Sequence, residues 1–173
     1  MKGSTQTAGE IIESRTNGES IYVRIGNALT CVIPSDVSAI EVFDRNGDYA
    51  ERCWSDADPL IARHFDRFLA HRFEHPLFKE FVKSGLRKPV RISDCEDGRD
   101  FPGSGMFNEF FKPLGIAPQM AVALPSDSIG LPVLAMARSK RDYSDKERNI
   151  VSELMPRIRR QIAAEKTWAT MSC

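Results

Sequence analysis

Several things are missing from this chain of 173 residues, and each absence closes off a class of protein. No C-x-x-C pair occurs. The four cysteines, Cys31, Cys53, Cys95 and Cys173, lie far apart at irregular spacing and read as reduced cytosolic thiols rather than a disulfide framework. No run of eighteen apolar residues exists, so the chain has no membrane span of the helical kind. The opening MKGSTQTAGE lacks the apolar centre of a signal peptide. There is no charge of one sign in excess: 24 Lys and Arg balance 24 Asp and Glu, which argues against a whole-surface nucleic-acid binder. No Gly-x-Ser-x-Gly elbow is present, and the run Gly98 to Gly105 has no Gly-Lys-Ser/Thr to make it a phosphate loop. Internal repeats and low-complexity tracts are also lacking. A cytoplasmic domain without a cofactor is the expectation.

What is present has an average apolar share, 42%, enough for one full core. The first ten residues are polar and predict a disordered lead or a frayed helix start. Ile21, Tyr22, Ile25, Leu29, Val32 and Ile33 then recur at three- and four-residue steps, an amphipathic helix that Pro34 stops. Two strands, Ser38 to Phe43 and Tyr49 to Trp54, flank Asn46-Gly47, whose backbone accepts the positive φ angles of a tight hairpin. Asp58 is placed to cap a second helix, with Pro59 in its first turn. A short helix from Leu77 ends at Gly85, and Val90-Arg91-Ile92 reads as a strand. Asp94 to Gly105 is the longest loop, and an aromatic helix with Met106, Phe107, Phe110 and Phe111 follows it. Gln119 to Leu124 and Leu131 to Ala137 predict a second hairpin. The last helix opens on Ser144-x-x-Glu147, a capping box in which each side chain satisfies the other's free backbone N–H. Hairpins with helices between them imply an α+β fold, an antiparallel sheet covered on its faces.

Four features carry possible chemistry. His71-Arg72-Phe73-Glu74-His75 matches the letters of an H-x-x-E-H zinc peptidase. Pro76 breaks the helix such a site requires, so the expectation is a helix boundary with half-exposed histidines and no metal. Cys53 and Cys95 have no activating neighbour in sequence and are expected to be inert. Phe78, Phe81, Phe107, Phe110 and Phe111 lie on helices that should cover the sheet, either as plain core or as the wall of an apolar pocket. From Arg138 to Lys166 nine Lys and Arg face five Asp and Glu, the composition of a solvated helix face.

The stretch from His75 to Lys166 resembles the GAF-like sensory domain that precedes the helix-turn-helix of LuxR-type bacterial regulators. The resemblance rests on His75-Pro76-Leu77-Phe78, Pro89-Val90-Arg91-Ile92-Ser93-Asp94, Asn108 to Ile116, Gln119 to Leu124 and Arg141 to Arg148. It implies a central antiparallel sheet of about five strands sandwiched by helices, with a long C-terminal helix. Residues 1–18 would be a flexible lead, 19–166 the sensory domain and 167–173 a tail. It implies no catalytic residue and a small-molecule ligand, with DNA reached only through a helix-turn-helix that these residues do not contain. The expected ligand contacts are Trp54, Phe78, Met106, Phe107 and Phe111, with the 94–105 loop at the mouth. The apolar stripe Ile150, Leu154, Ile158 and Ile162 outlasts one domain's expected thickness and predicts a homodimer through the last helix. A ligand-free interaction module and a small metal-dependent hydrolase are the competing readings.

Overall fold

The computed structural model describes residues 2–14, 19–44, 46–56, 59–126 and 130–171. Its helices are α1 (Lys2–Glu13), α2 (Ile21–Val32), α3 (Pro59–His71), α4 (Pro76–Ser84), α5 (Lys112–Leu114) and α6 (Asp145–Met171). The strands are β1 (Val37–Phe43), β2 (Tyr49–Ser55), β3 (Val90–Arg91), β4 (Gln119–Ala123) and β5 (Leu131–Ala137). They form one antiparallel sheet in the order β2-β1-β5-β4-β3. The α+β class and the long closing helix match the expectation. The cap expected of Asp58 lies outside the described residues, as does the centre of the turn between β4 and β5.

Because strand side chains alternate between faces, the sheet sorts its residues into two layers. Ile40, Met120, Val122, Leu134 and Met136 point to the side covered by α1, α2 and α6. Phe43, Ala121, Val133 and Ala137 point to the other side, under α3, α4 and the segment from Ile92 to Leu114. Local chemistry delimits the covering helices. Gly85 closes α4 in the left-handed conformation at φ 73°, returning its N–H to the Phe81 carbonyl. Ser144 and Glu147 form the expected capping box at the head of α6, with the Ser144 N–H donating to Glu147 Oε2 at 2.7 Å.

Two expectations about the ends are corrected. The lead expected over 1–18 contains α1, whose Ala8 and Ile12 are fully buried against α2 and α6. Few apolar residues mark it in sequence because its anchor is tertiary. Buried Arg24 of α2 donates to the carbonyls of Ile12 and Ser14 and pairs with Glu165 of α6. α6 itself continues through most of the stretch expected as a tail. Its stripe is spent inside the chain: Leu154, Ile158 and Ile162 are buried among α1, α2 and the sheet, and Ile150 packs on the same core. The expected dimer surface is therefore an internal one, and it gives no reason for a homodimer.

The first turn of α6 is tied to β5 by a buried ion pair. Arg138 holds Glu147 through both guanidinium nitrogens at 2.8 and 3.1 Å and also donates to the carbonyls of Arg141 and Asp142. These bonds keep the Glu147 carboxyl at a pKa of about 2.

Candidate functional site

On the second face, three alanines stand side by side across the sheet. Ala39 of β1 pairs with Ala135 of β5, which pairs with Ala121 of β4. Methyl groups cannot reach the helices above, so a hollow opens over the row. Its roof and walls are rings: Phe43, Phe65, Phe68, Phe78, Phe110 and Phe111 line the space. Phe43 meets Phe78 and Phe110 meets Phe111 edge to face, with centroids 5.5 and 5.1 Å apart, while Phe65 and Phe68 stack in parallel. A π-helical turn, Phe107–Phe111, runs into α5 and sets two adjacent phenylalanines, Phe110 and Phe111, against the space. The cavity measures about 100 Å³.

Four polar side chains enter this apolar chamber: Glu41, Arg52, His75 and Gln119. Glu41 Oε1 accepts from Arg52 Nε at 2.6 Å, and the Arg52 guanidinium lies 4.7 Å above the Phe65 ring centre. Burial raises the Glu41 pKa, against the pull of Arg52. His75 caps α4: its Nδ1 accepts from the Leu77 N–H at 3.1 Å. Its ring lies among Phe68, Phe101 and Phe111, and burial there pushes its pKa down to about 3.

Of the contacts expected from sequence, Phe78 and Phe111 line the cavity. Trp54 does not, because β2 carries a bulge. Ile40 pairs with Trp54 while the next residue, Glu41, pairs with Arg52, so Cys53 is extra and the strand changes phase there. Trp54 is thereby carried to the first layer, where a Cβ on Gly26 of α2 would overlap its indole. Met106 is fully buried in the aromatic layer but outside the cavity lining, and Phe107 rests on Phe101 at 5.6 Å. The 94–105 segment supplies no lining residue. It is a chain of short 3₁₀ turns that buries Phe101 behind His75. Nothing local in the sequence singles out Glu41 or Arg52, whereas the alanine row does leave a signal: β4 and β5 alternate alanine with large residues, the mark of a face with room above it.

The expectation of half-exposed histidines holds for one ring only. His75 is buried in the aromatic layer, whereas His71 stands between Glu74 and Glu109 at 2.7 and 3.3 Å. Glu74 in turn accepts from the Gly105 N–H at 2.6 Å and from the Met106 N–H, fastening the start of the aromatic helix. The hydrogen bond to Glu74 raises the His71 pKa. Burial raises the thiol pKa of Cys53 and of Cys95, the latter to about 11, which suits unreactive sulfur.

The arrangement is a GAF-like fold with a chamber on the face away from its terminal helices. No family model and no curated protein matches the sequence, but solved structures match its architecture. The LBD domain of VqsR from Pseudomonas aeruginosa superposes with a TM-score of 0.66 at 15% identity, over 94% of this chain and 96% of that one. The GAF domain of a phosphoenolpyruvate-protein phosphotransferase from Coxiella burnetii gives 0.62 at 12% identity, over 98% and 96%. CepR2 of Burkholderia cenocepacia, an N-acylhomoserine-lactone-dependent LuxR family transcription factor, gives 0.61 at 9% identity, over 94% and 93%. At these identities the likeness is one of fold.

Proposed function

We propose that this chain is the sensory domain of a LuxR-type regulator, binding a small molecule between the sheet and the aromatic layer and performing no chemistry on it. The carrying observation is the ring-walled hollow over the Ala39–Ala135–Ala121 row, an apolar space with a few convergent polar groups. The VqsR and CepR2 likenesses support the reading, since both are domains or factors named for ligand dependence. Occupancy would be passed from the aromatic layer through the sheet to α6. No described helix is long and apolar enough to cross a membrane, in keeping with a role in the cytoplasm.

A thermal-shift screen of metabolites tests this. A true ligand at a hundredfold excess over its dissociation constant should stabilise the fold by about 2.7 kcal/mol. Ala135→Leu, which fills the hollow, should abolish that response. A ligand that stabilises the wild type and the filled variant equally would refute the assignment of the site.

A further inference from the structure

At the end of the sheet where β4 stops and β5 begins, a groove of about 710 Å³ runs from α4 to α6, so the coats of both faces meet in it. Its floor is apolar: Val82 of α4, which is 58% exposed, and half-buried Leu131 at the head of β5 both line it. Its rim is basic, with Lys83, Arg87 and Arg159 brought together from three separate stretches of chain. No Asp or Glu stands among the described lining residues.

Local backbone geometry builds part of this rim. After Gly85 closes α4, Leu86 also takes a left-handed φ, 45°, which a bulky side chain rarely adopts. The turn buries Leu86 and leaves Arg87 exposed along the groove. The cations there are short of partners. Among the described residues Arg87 and Arg159 make no ion pair, and Lys83 reaches only the exposed Glu96, at 3.8 Å. Arg160, the next residue of α6, is by contrast held by Glu13 at 3.0 Å. Uncompensated cations around an apolar floor complement an anionic chain that carries an apolar side chain. Nucleic acid fits less well, because it needs a longer basic track and exposed rings for its bases. Phe81, the one ring among the described lining residues, is buried.

We propose that this groove docks an acidic peptide segment of another protein, with an apolar side chain seated on Val82 and Leu131 and carboxylates laid against Lys83, Arg87 and Arg159. The inference does not depend on what the chamber binds. Fluorescein-labelled hexapeptides rich in glutamate and carrying one leucine test it by polarisation titration with the whole chain. A leucine-free peptide and a single-stranded oligonucleotide of equal charge are titrated beside them. The leucine peptides should bind, and more weakly at high salt, which screens contacts between exposed charges. Arg87→Glu combined with Arg159→Glu should weaken binding about tenfold, and Val82→Glu should weaken it comparably. All three positions are exposed, so the melting curve should stay that of the wild type. Lys112→Glu combined with Lys140→Glu makes the same change in net charge at exposed positions outside the groove and should leave binding unaltered. Equal weakening in the two double variants would reduce the attraction to net charge and overturn the proposal. So would a leucine-free peptide that binds as tightly, an oligonucleotide that binds more tightly than any peptide, or no binding at millimolar peptide.

Discussion

The two faces of the sheet are built by the same five strands and packed by opposite rules. On the first, Ile40, Leu134, Met136, Met120 and Val122 interlock with aliphatic side chains of α2 and α6. On the second, alanines leave a gap that a shell of phenylalanines spans without filling. The neighbours Leu134 and Ala135 belong to different regimes although one peptide bond joins them. Close packing on one side holds the fold, so the other side can forgo contacts and keep a space. Substitutions should therefore act very differently across a single strand.

The largest effect is expected deep in the close-packed layer. Ile158→Glu places a charge where the native side chain is fully buried, and it should cost about 4 kcal/mol or more, or prevent folding. Had Ile158 been a dimer contact, the same change would give a folded monomer, and sedimentation with circular dichroism separates the outcomes. Leu134→Ala comes next, at about 2–5 kcal/mol in urea unfolding. Its neighbour gives the sharpest contrast. Ala135→Leu should change stability by less than about 1 kcal/mol, whereas the same enlargement in a filled core costs about 1–3 kcal/mol. A large loss there would mean that the two faces are packed alike.

Titration should distinguish the layers as well. Glu147 ionises far below its ordinary value because Arg138 and Ser144 bond its carboxylate. A depressed carboxylate gives stability that is complete above the unfolded pKa and fades as pH falls toward about 2. Glu147→Gln should flatten the acid limb of a stability–pH profile. His71 behaves in the reverse sense and more weakly, being exposed to solvent. Its pKa is raised by Glu74, so its contribution is complete below the ordinary histidine value and is lost as pH rises through the folded one. Protection of the Gly105 and Met106 amides, taken relative to their intrinsic exchange rates, should fall over that interval because Glu74 holds both N–H groups, and His71→Gln should remove the dependence. An unchanged profile in the variant would show the Glu74 clasp to be independent of the ring.

Much of this contrast was legible in the sequence. Periodicity and capping residues located α2, α4, α6 and both hairpins, because each is decided by local chemistry such as Pro34, Gly85 or the Ser144–Glu147 box. Phe78 and Phe111 could be placed at the site because helix faces follow spacing. Trp54 could not be, since its facing depends on pairing register, and the extra Cys53 in β2 shows only against β1. α1 was legible only as the alternative of a frayed helix start, because its hold is on Arg24 and α6, far along the chain. The stripe on α6 was recognised as needing cover, but periodicity does not say whether the cover is another copy or the chain's own first helix.

The bulged strand has one more consequence. β2 is an outer strand of the sheet, and its register slips twice against β1. The opposite rim, β3, is two residues long before the backbone turns into a 3₁₀ helix. Neither rim offers the long, flat row of free amides and carbonyls on which a stray strand from another molecule can crystallise. Loosening of either helical coat would bare the sheet, and its margins are blunted against aggregation.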